Sequence, residues 1–441
     1  MKKMVVLFAL LALSFGIFAQ GKPEATGSQQ DVASPQIVTI TFWDENAGPN
    51  RTPYFDQMIA EFEATHPTIK VNYVGLPWSD AKSKYDIAIQ SKTTPDVGGI
   101  AESWLTDFII KGALTPIDEY FNTWDRKDDI ISGYIDSIRN AAPDRKLYAI
   151  SNTSNIPVYW YRPDVLAEYG LDVPKSWNDF FDVIVKTTDV ANNKYGFSIR
   201  GGSGGCMQLE QMLYSYSGVT EMFDAKGNST INAPKHIELV ERLASIYGKY
   251  TPESDITNGY KEMVAAFDTK VANMIVHNLG SYGEHMKTLG AGKFAALTKL
   301  ESVIGNNVVV TNGSVVYSVF NTSKHPKEAF TFASWLCERD QSLFWNESIG
   351  QLPTVRSALD SDFVKNAQHM RSAAETTADP NVIIVSTPIN IPGYADLLNN
   401  VCSRQWQEVL LGNRTAKSFL DNWAQNMTQL KKEYDAYLNK K

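Results

Sequence analysis

Between residues 37 and 100 the chain switches repeatedly between two hydrophobic periods, and few folds accommodate that. IVTITFW (37–43) reads as a buried strand, and Thr52 and Pro53 then supply an N-cap and a first-turn proline for a helix whose apolar face is Phe55, Met58, Ile59 and Phe62. His66 and Pro67 stop it. TIKVNYV (68–74) alternates as a second strand, SDAKSKYDIAIQ (79–90) opens with a serine cap and runs helical, and PDVGGI (95–100) is a short third strand. A βαβαβ order predicts an α/β architecture, a parallel or mixed sheet with helices on both faces. Ligands in such sheets sit beyond the carboxyl ends of strands, so the loops at 43–50, 75–80 and 101–104 are the first places to look.

A second set of alternating elements starts near Ile156 and includes KYGFSI, helices near 207–216 and 235–247, and the strand VANMIV. From Lys327 onward the pattern is mostly helical. A length of 441 residues with 43% hydrophobic and 20% charged residues supplies two or three ordinary cores, so two lobes are the simplest division. In the stretch NTSNIPVYWYRPDVL (152–166) a strand would point Tyr159 and Tyr161 one way and Trp160 the other, so the three cannot share one ligand. They read as core, and 152–155 as cleft wall.

Residues 1–19 have two lysines, an apolar run from Met4 and small residues near its end, the pattern of a signal peptide cut after Ala19 or, alternatively, Gly16. An uncleaved anchor is the competing reading, and the run is short for one. Residues 20–36 read as a flexible leader. The first cysteine is Cys206, so no lipid-bearing cysteine stands at the cut, and a periplasmic, non-lipidated protein is expected. Three cysteines, Cys206, Cys337 and Cys402, cannot all pair, and buried thiols are the favoured reading.

A net charge of -8 without a basic stripe excludes a nucleic-acid partner and argues against an anionic membrane. The six histidines form no HxxxH pair and the cysteines no CxxC, so no metal is expected, and no cofactor motif is present. Asp44 with Glu45, and Asp128 with Asp129, are adjacent acids that regular structure would point apart. A glycosidase needs two carboxyls facing each other across a bond, so no catalytic pair is visible. The glycine-rich run 201–205 precedes a helix start and reads as a flexible surface loop or as the lining of a cleft; glycines there could cradle an anion, but the run lacks the lysine and hydroxyl of a phosphate loop.

FW after the first strand, YFDQMIAEFEATHPTIKVNYV, PDV, FIIKGALTPIDEYF, KLYAI, YWYRPDVLAEYGLDVPKSWNDFFDVI, FDTKVANMIVHNLGSY, TNGSVVYSV, HPKEAFTFASWL and GQLPT follow one another along the chain. In that order they resemble the family 1 extracellular solute-binding proteins of ABC importers, the maltose-binding-protein-like sugar receptors. The resemblance implies a two-lobed periplasmic-binding-protein type II fold with discontinuous lobes and a hinge: lobe 1 from 37–154 and 316–352, lobe 2 from 155–315 and 353–441. It also implies a carbohydrate ligand between the lobes, delivery to a membrane permease without turnover, and a monomer.

Matching the motifs residue by residue, the resemblance carries ligand contact to Trp43, Glu45 and Asn46; to Glu102, Ser103 and Trp104; and to Asn155, where maltose-binding receptors have a carboxylate. It carries it further to Asn278, Gly280, Ser281 and Tyr282, the last standing where the family often has tryptophan, and to Asn312, Gly313, Gln351 and Tyr394. Asparagine, glutamine and acids bond paired hydroxyls, and aromatic planes cover the C–H faces of sugar rings. These loops favour a neutral sugar. The runner-up, a receptor for a uronate oligomer or glycerophosphodiester, needs a cationic anchor, for which Arg200 is the candidate. An exported glycoside hydrolase is the alternative of another class.

Overall fold

The computed structural model describes residues 36–311 and 313–440. The signal-peptide reading, the leader up to residue 35 and Asn312 therefore lie outside the described residues.

The alternating N-terminal segment builds β1 (Val38–Asp44), α1 (Thr52–Thr65), β2 (Ile69–Gly75), α2 (Trp78–Ser91), β3 (Val97–Ala101) and α3 (Glu102–Ile110). β1 is flanked by β2 and β3, both parallel to it, with Val38 opposite Ile69 and Phe42 opposite Val97. The strand Val315–Val319 closes the other edge antiparallel to β3, Gly98 facing Ser318. Phe55, Met58, Ile59 and Phe62 are the buried face of α1, as the period required. Thr52 is the first helical residue rather than the cap; its hydroxyl accepts the Gly48 N–H, 3.2 Å away, and Arg51 holds the cap position. α3 begins directly at Glu102, so the segment after β3 is a helix start and not a loop.

Three apolar clusters partition the chain. The first joins residues 40–150 to 316–358 and takes in Ala395. The second and third are built from residues beyond 156, excluding that return. Strand Pro157–Tyr161 separates the second and third: it is the middle strand of an antiparallel sheet with Met274–Asn278 and Ala295–Leu297. Tyr159 and Tyr161 enter the second cluster and Trp160 the third, which is the split that strand alternation demands. Two of the crossings between cores lie side by side, since Thr153–Ser154 pairs antiparallel with Leu352–Pro353. Asn152 and Thr153 are turned inward there: Asn152 Nδ2 donates to the Leu336 carbonyl at 3.1 Å, and the Thr153 hydroxyl is shared between Asn346 Oδ1 at 2.6 Å and Gln351 Oε1 at 2.8 Å. Only the last residue of the expected polar wall, Asn155, reaches the cleft. All three cysteines are buried and unpaired.

Candidate functional site

One cleft draws on both halves of the molecule. The first core contributes Glu45 and Asn46 from the loop after β1, Arg51 at the cap of α1, Trp78 at the start of α2 and Ser103 in the first turn of α3. The other half contributes Arg200 and Gly204, Gln208 and Gln211 on the helix Gly205–Ser217, and Tyr260, His277 and Asn278. Asn155, Gly313 and Gln351 lie at or beside the crossings. The space counted out to open solvent is about 900 Å³.

The strand ends explain the first wall, because parallel strands β1 and β3 finish on the same side and leave their next residues at one crevice. Asp44 and Glu45 are buried there side by side. The Tyr73 hydroxyl donates to Asp44 at 3.0 Å, and burial next to Asp44 pushes Glu45 up to about 8, Arg51 acting in the opposite sense. At neutral pH Glu45 is thus protonated and can donate as well as accept.

Six carboxamides reach the cleft: Asn46, Asn155, Gln208, Gln211, Asn278 and Gln351. Gln351 donates to Asn155 Oδ1 and accepts from Thr153, so the crossing positions it. A Cβ on Gly280 would come within 2.6 Å of that Gln351 amide, which explains the glycine. Asn278 accepts the Gly280 N–H at 2.9 Å and caps its own turn. Two aromatic surfaces complete the lining. Trp78 lies flat against Trp104 at 5.5 Å, and Tyr260 stacks on His277 at 4.8 Å while its hydroxyl donates to Glu284. Burial pushes His277 well below the usual histidine range, with Arg200 adding to the effect, so its ring is neutral.

Of the residues the sequence singled out, Glu45, Asn46, Ser103, Asn155, Asn278, Gly280, Gly313 and Gln351 line the cleft, as does Arg200, the candidate anchor for an anion. The structure does not bring Trp43, Glu102, Trp104, Ser281, Tyr282 or Tyr394 there, and Asn312 lies outside the described residues. Trp43 packs against Tyr85 at 5.3 Å, Trp104 backs Trp78, and Ser281 is buried under its own turn. Tyr282 stacks on His369 at 4.0 Å, and Tyr394 is sealed in the second core with its hydroxyl on Glu210. Glu102 is buried, accepting the Ser314 N–H at 2.9 Å, the Ser314 hydroxyl at 3.1 Å and the Ser137 hydroxyl at 2.6 Å. Arg51, Trp78, Gln208, Gln211, Tyr260 and His277 were not anticipated. The glycine run before a helix was the available signal for Gln208 and Gln211, which follow it one turn apart.

Among the described residues no three His, Cys, Asp or Glu side chains converge as metal ligands would, and no helix is long and apolar enough to cross a membrane.

The sequence model of the family described as bacterial extracellular solute-binding protein matches residues 48–341. A galactooligosaccharide-binding protein of Bacillus subtilis (strain 168) is 24% identical over 452 residues, covering 96% of this chain and 96% of that protein. A putative binding protein of Brucella abortus (strain 2308) is 23% identical, covering 85% of this chain and 88% of its own. Among solved structures, the GacH receptor of Streptomyces glaucescens, determined unliganded and with acarbose, superimposes with a TM-score of 0.77 at 20% identity, over 90% of this chain and 99% of that one. The fold is the two-lobed α/β type expected from the sequence.

Proposed function

Because the chain belongs to the bacterial extracellular solute-binding protein family, we propose that it is the receptor of an ABC importer, capturing a mono- or oligosaccharide between its lobes and handing it to a membrane permease. One observation carries the reading: six carboxamides from both halves converge on one cleft that also presents two aromatic surfaces. Each carboxamide offers a donor and an acceptor, the match for hydroxyls that do both, and an unpaired buried hydroxyl would cost about 1 to 3 kcal/mol. The family relatives support it, since one is named for galactooligosaccharides.

The contact set we propose is Glu45, Asn46, Ser103, Asn155, Gly280, Gly313 and Gln351 together with Trp78, Gln208, Gln211, Tyr260 and Asn278. The lobes are proposed as 37–154 with 316–352 and 155–315 with 353–441, the last crossing drawn out over Val355 and Ala358, which still pack in the first core. Binding proceeds without turnover: Glu45 is the one carboxyl side chain on the cleft wall among the described residues, and glycoside hydrolysis requires a facing pair. Export with cleavage after Ala19, no lipid and a monomeric state complete the reading; an intact mass beginning near Gln20 would bear out the cleavage, and a diacylglyceryl adduct would refute it.

Calorimetry against a saccharide panel, with chromatography of the same samples, tests the proposal. Saturable one-to-one binding with the sugar recovered intact is expected. Released shorter products would make it an enzyme.

A further inference from the structure

Two guanidinium groups on the cleft wall have no hydrogen-bond or ion-pair partner among the described residues, although that of Arg51 lies over the Trp345 ring, 4.8 Å from its centroid. Arg51 is 7% exposed and Arg200 9%, the Nε of each lacks a hydrogen-bond acceptor, and neither enters an ion pair among the described residues. Burial lowers Arg200 to about 10, so it remains cationic at neutral pH. A buried charge left unpaired is costly, and proteins ordinarily pair it or give it a ligand.

Both arginines stand where a helix begins. Arg200 precedes the glycine loop of the 13-residue helix Gly205–Ser217, whose cap Gly204 has φ +80 and makes no side-chain cap bond, and whose first turn holds no acid. A Cβ on Gly204 would lie 2.5 Å from Arg200 Nη2, so the glycine lets the guanidinium seat against the helix start. Arg51 caps α1, which likewise has no acid in its first turn. The helix dipole adds to the positive potential at each place. The two charges converge, because both act on the Tyr260 hydroxyl and on the His277 ring, which stack together in the cleft.

The available counter-charge falls short. Asp44, Glu45 and Glu284 are the carboxyls that act on Arg51, and burial raises all three, Glu45 to about 8. At neutral pH Glu45 is protonated, and Glu284 is engaged in accepting the Tyr260 hydroxyl. Arg200 is opposed only by Glu262, which is exposed and occupied in accepting the Gly259 N–H at 3.0 Å.

We propose that the solute captured in this cleft bears an anionic group, a carboxylate or a phosphate ester, held by Arg51, Arg200 and the start of the helix Gly205–Ser217. The inference rests on the saccharide reading of the cleft and narrows it from sugars in general to acidic ones, displacing the preference for a neutral sugar that the loop composition alone favoured. Planar guanidinium forks fit carboxylate and phosphate oxygens two at a time, and such charge-assisted bonds are the strong kind. The carboxamides then take the remaining hydroxyls.

The test is calorimetric titration of the full chain with matched pairs: digalacturonate against galactobiose, and glucose 1-phosphate against glucose, with acetate and inorganic phosphate as bare anions. At least one acidic member should bind ten-fold or more tightly than its neutral partner and weaken as salt rises. The pair that responds tells carboxylate from phosphate. Arg200→Gln and Arg51→Gln should each lower acidic affinity at least ten-fold while changing neutral affinity less than three-fold, and Arg200→Lys should recover part of the loss. Melting curves identify any variant that fails to fold; the other arginine and the salt series then carry the test. A neutral sugar that binds as tightly as its acidic partner, or arginine variants that weaken both members equally, overturns the inference and leaves the saccharide reading intact. Arginine-dependent binding of bare anions with no saccharide of either kind would do the reverse.

Discussion

The starts of α3 and of the helix Gly205–Ser217 each bury one charged side chain, and they treat it in opposite ways. Glu102 receives three hydrogen bonds, two from Ser314 and one from Ser137, and so ties the first helix turn to the edge strand Val315–Val319 and to helix Ser132–Ala141. Arg200 makes no hydrogen bond or ion pair among the described residues and faces the cleft. A buried charge whose bonds are all made inside the protein holds structure together; one whose bonds are missing is waiting for a partner from outside. The difference separates scaffold from site more sharply than residue type does, since an acid and an arginine are equally plausible sugar contacts.

The largest effect that could break this contrast is on stability. Glu102→Ala strands the buried Ser314 N–H and two hydroxyls, and unfolding by denaturant should show a loss of about 3 kcal/mol. Arg200→Gln removes a costly buried charge that no internal bond holds, so stability should hold or rise. Equal losses would mean that Arg200 is scaffold too.

A smaller effect sharpens the comparison at the crossings. Gln351 is intermediate: Thr153 fixes its oxygen at 2.8 Å, while its nitrogen meets Asn155 on the cleft wall. Gln351→Ala should therefore weaken binding of the tightest saccharide by roughly five- to thirty-fold, equivalent to about 1 to 2 kcal/mol. An affinity within two-fold of the native protein would return Gln351 to the scaffold.

The contrast also explains what could be read in advance. Strands β1 to β3 were legible because each has a period of its own; the rule about strand ends pointed to the loops that hold Glu45, Asn46 and Ser103, and the family resemblance picked out those residues. Trp104 did not, because residues 101–104 look like a loop; with α3 starting at Glu102, Trp104 turns inward behind Trp78, and Trp78 becomes the wall. Tyr394 shares the fate of Glu102: its polar end finds a partner, Glu210, 184 residues away, and no local pattern signals that. Gln208 and Gln211 escaped because periodicity marks apolar faces, and a polar face toward a cleft reads like one toward solvent. Arg200 was visible only as a possibility, since a missing partner is a property of the folded chain.

The smallest effect concerns the proton on Glu45. Asp44 beside it, Arg51 near it and the tyrosines Tyr73, Tyr85 and Tyr317 that feel its charge are the groups around it. Its folded value, about 8, is raised above the ordinary 4.5. Between those values the unfolded chain has released the proton and the folded one keeps it, so this group makes stability fall as pH rises from about 4.5 to 8, with no further change above. Glu45→Gln should remove that part of the slope, so the variant gains on the native protein across the window in melting experiments. Binding has the same sign. An anion in the cleft disfavours a second negative charge and holds the proton on, so affinity for an acidic saccharide should decline by a few-fold as pH passes through about 8, while a neutral saccharide shows a weaker dependence. Calorimetry at pH 6, 7, 8 and 9 on native protein and Glu45→Gln reads this directly: an acidic ligand whose affinity is flat in the native protein would mean that the anion lies away from Glu45, on the Arg200 side alone.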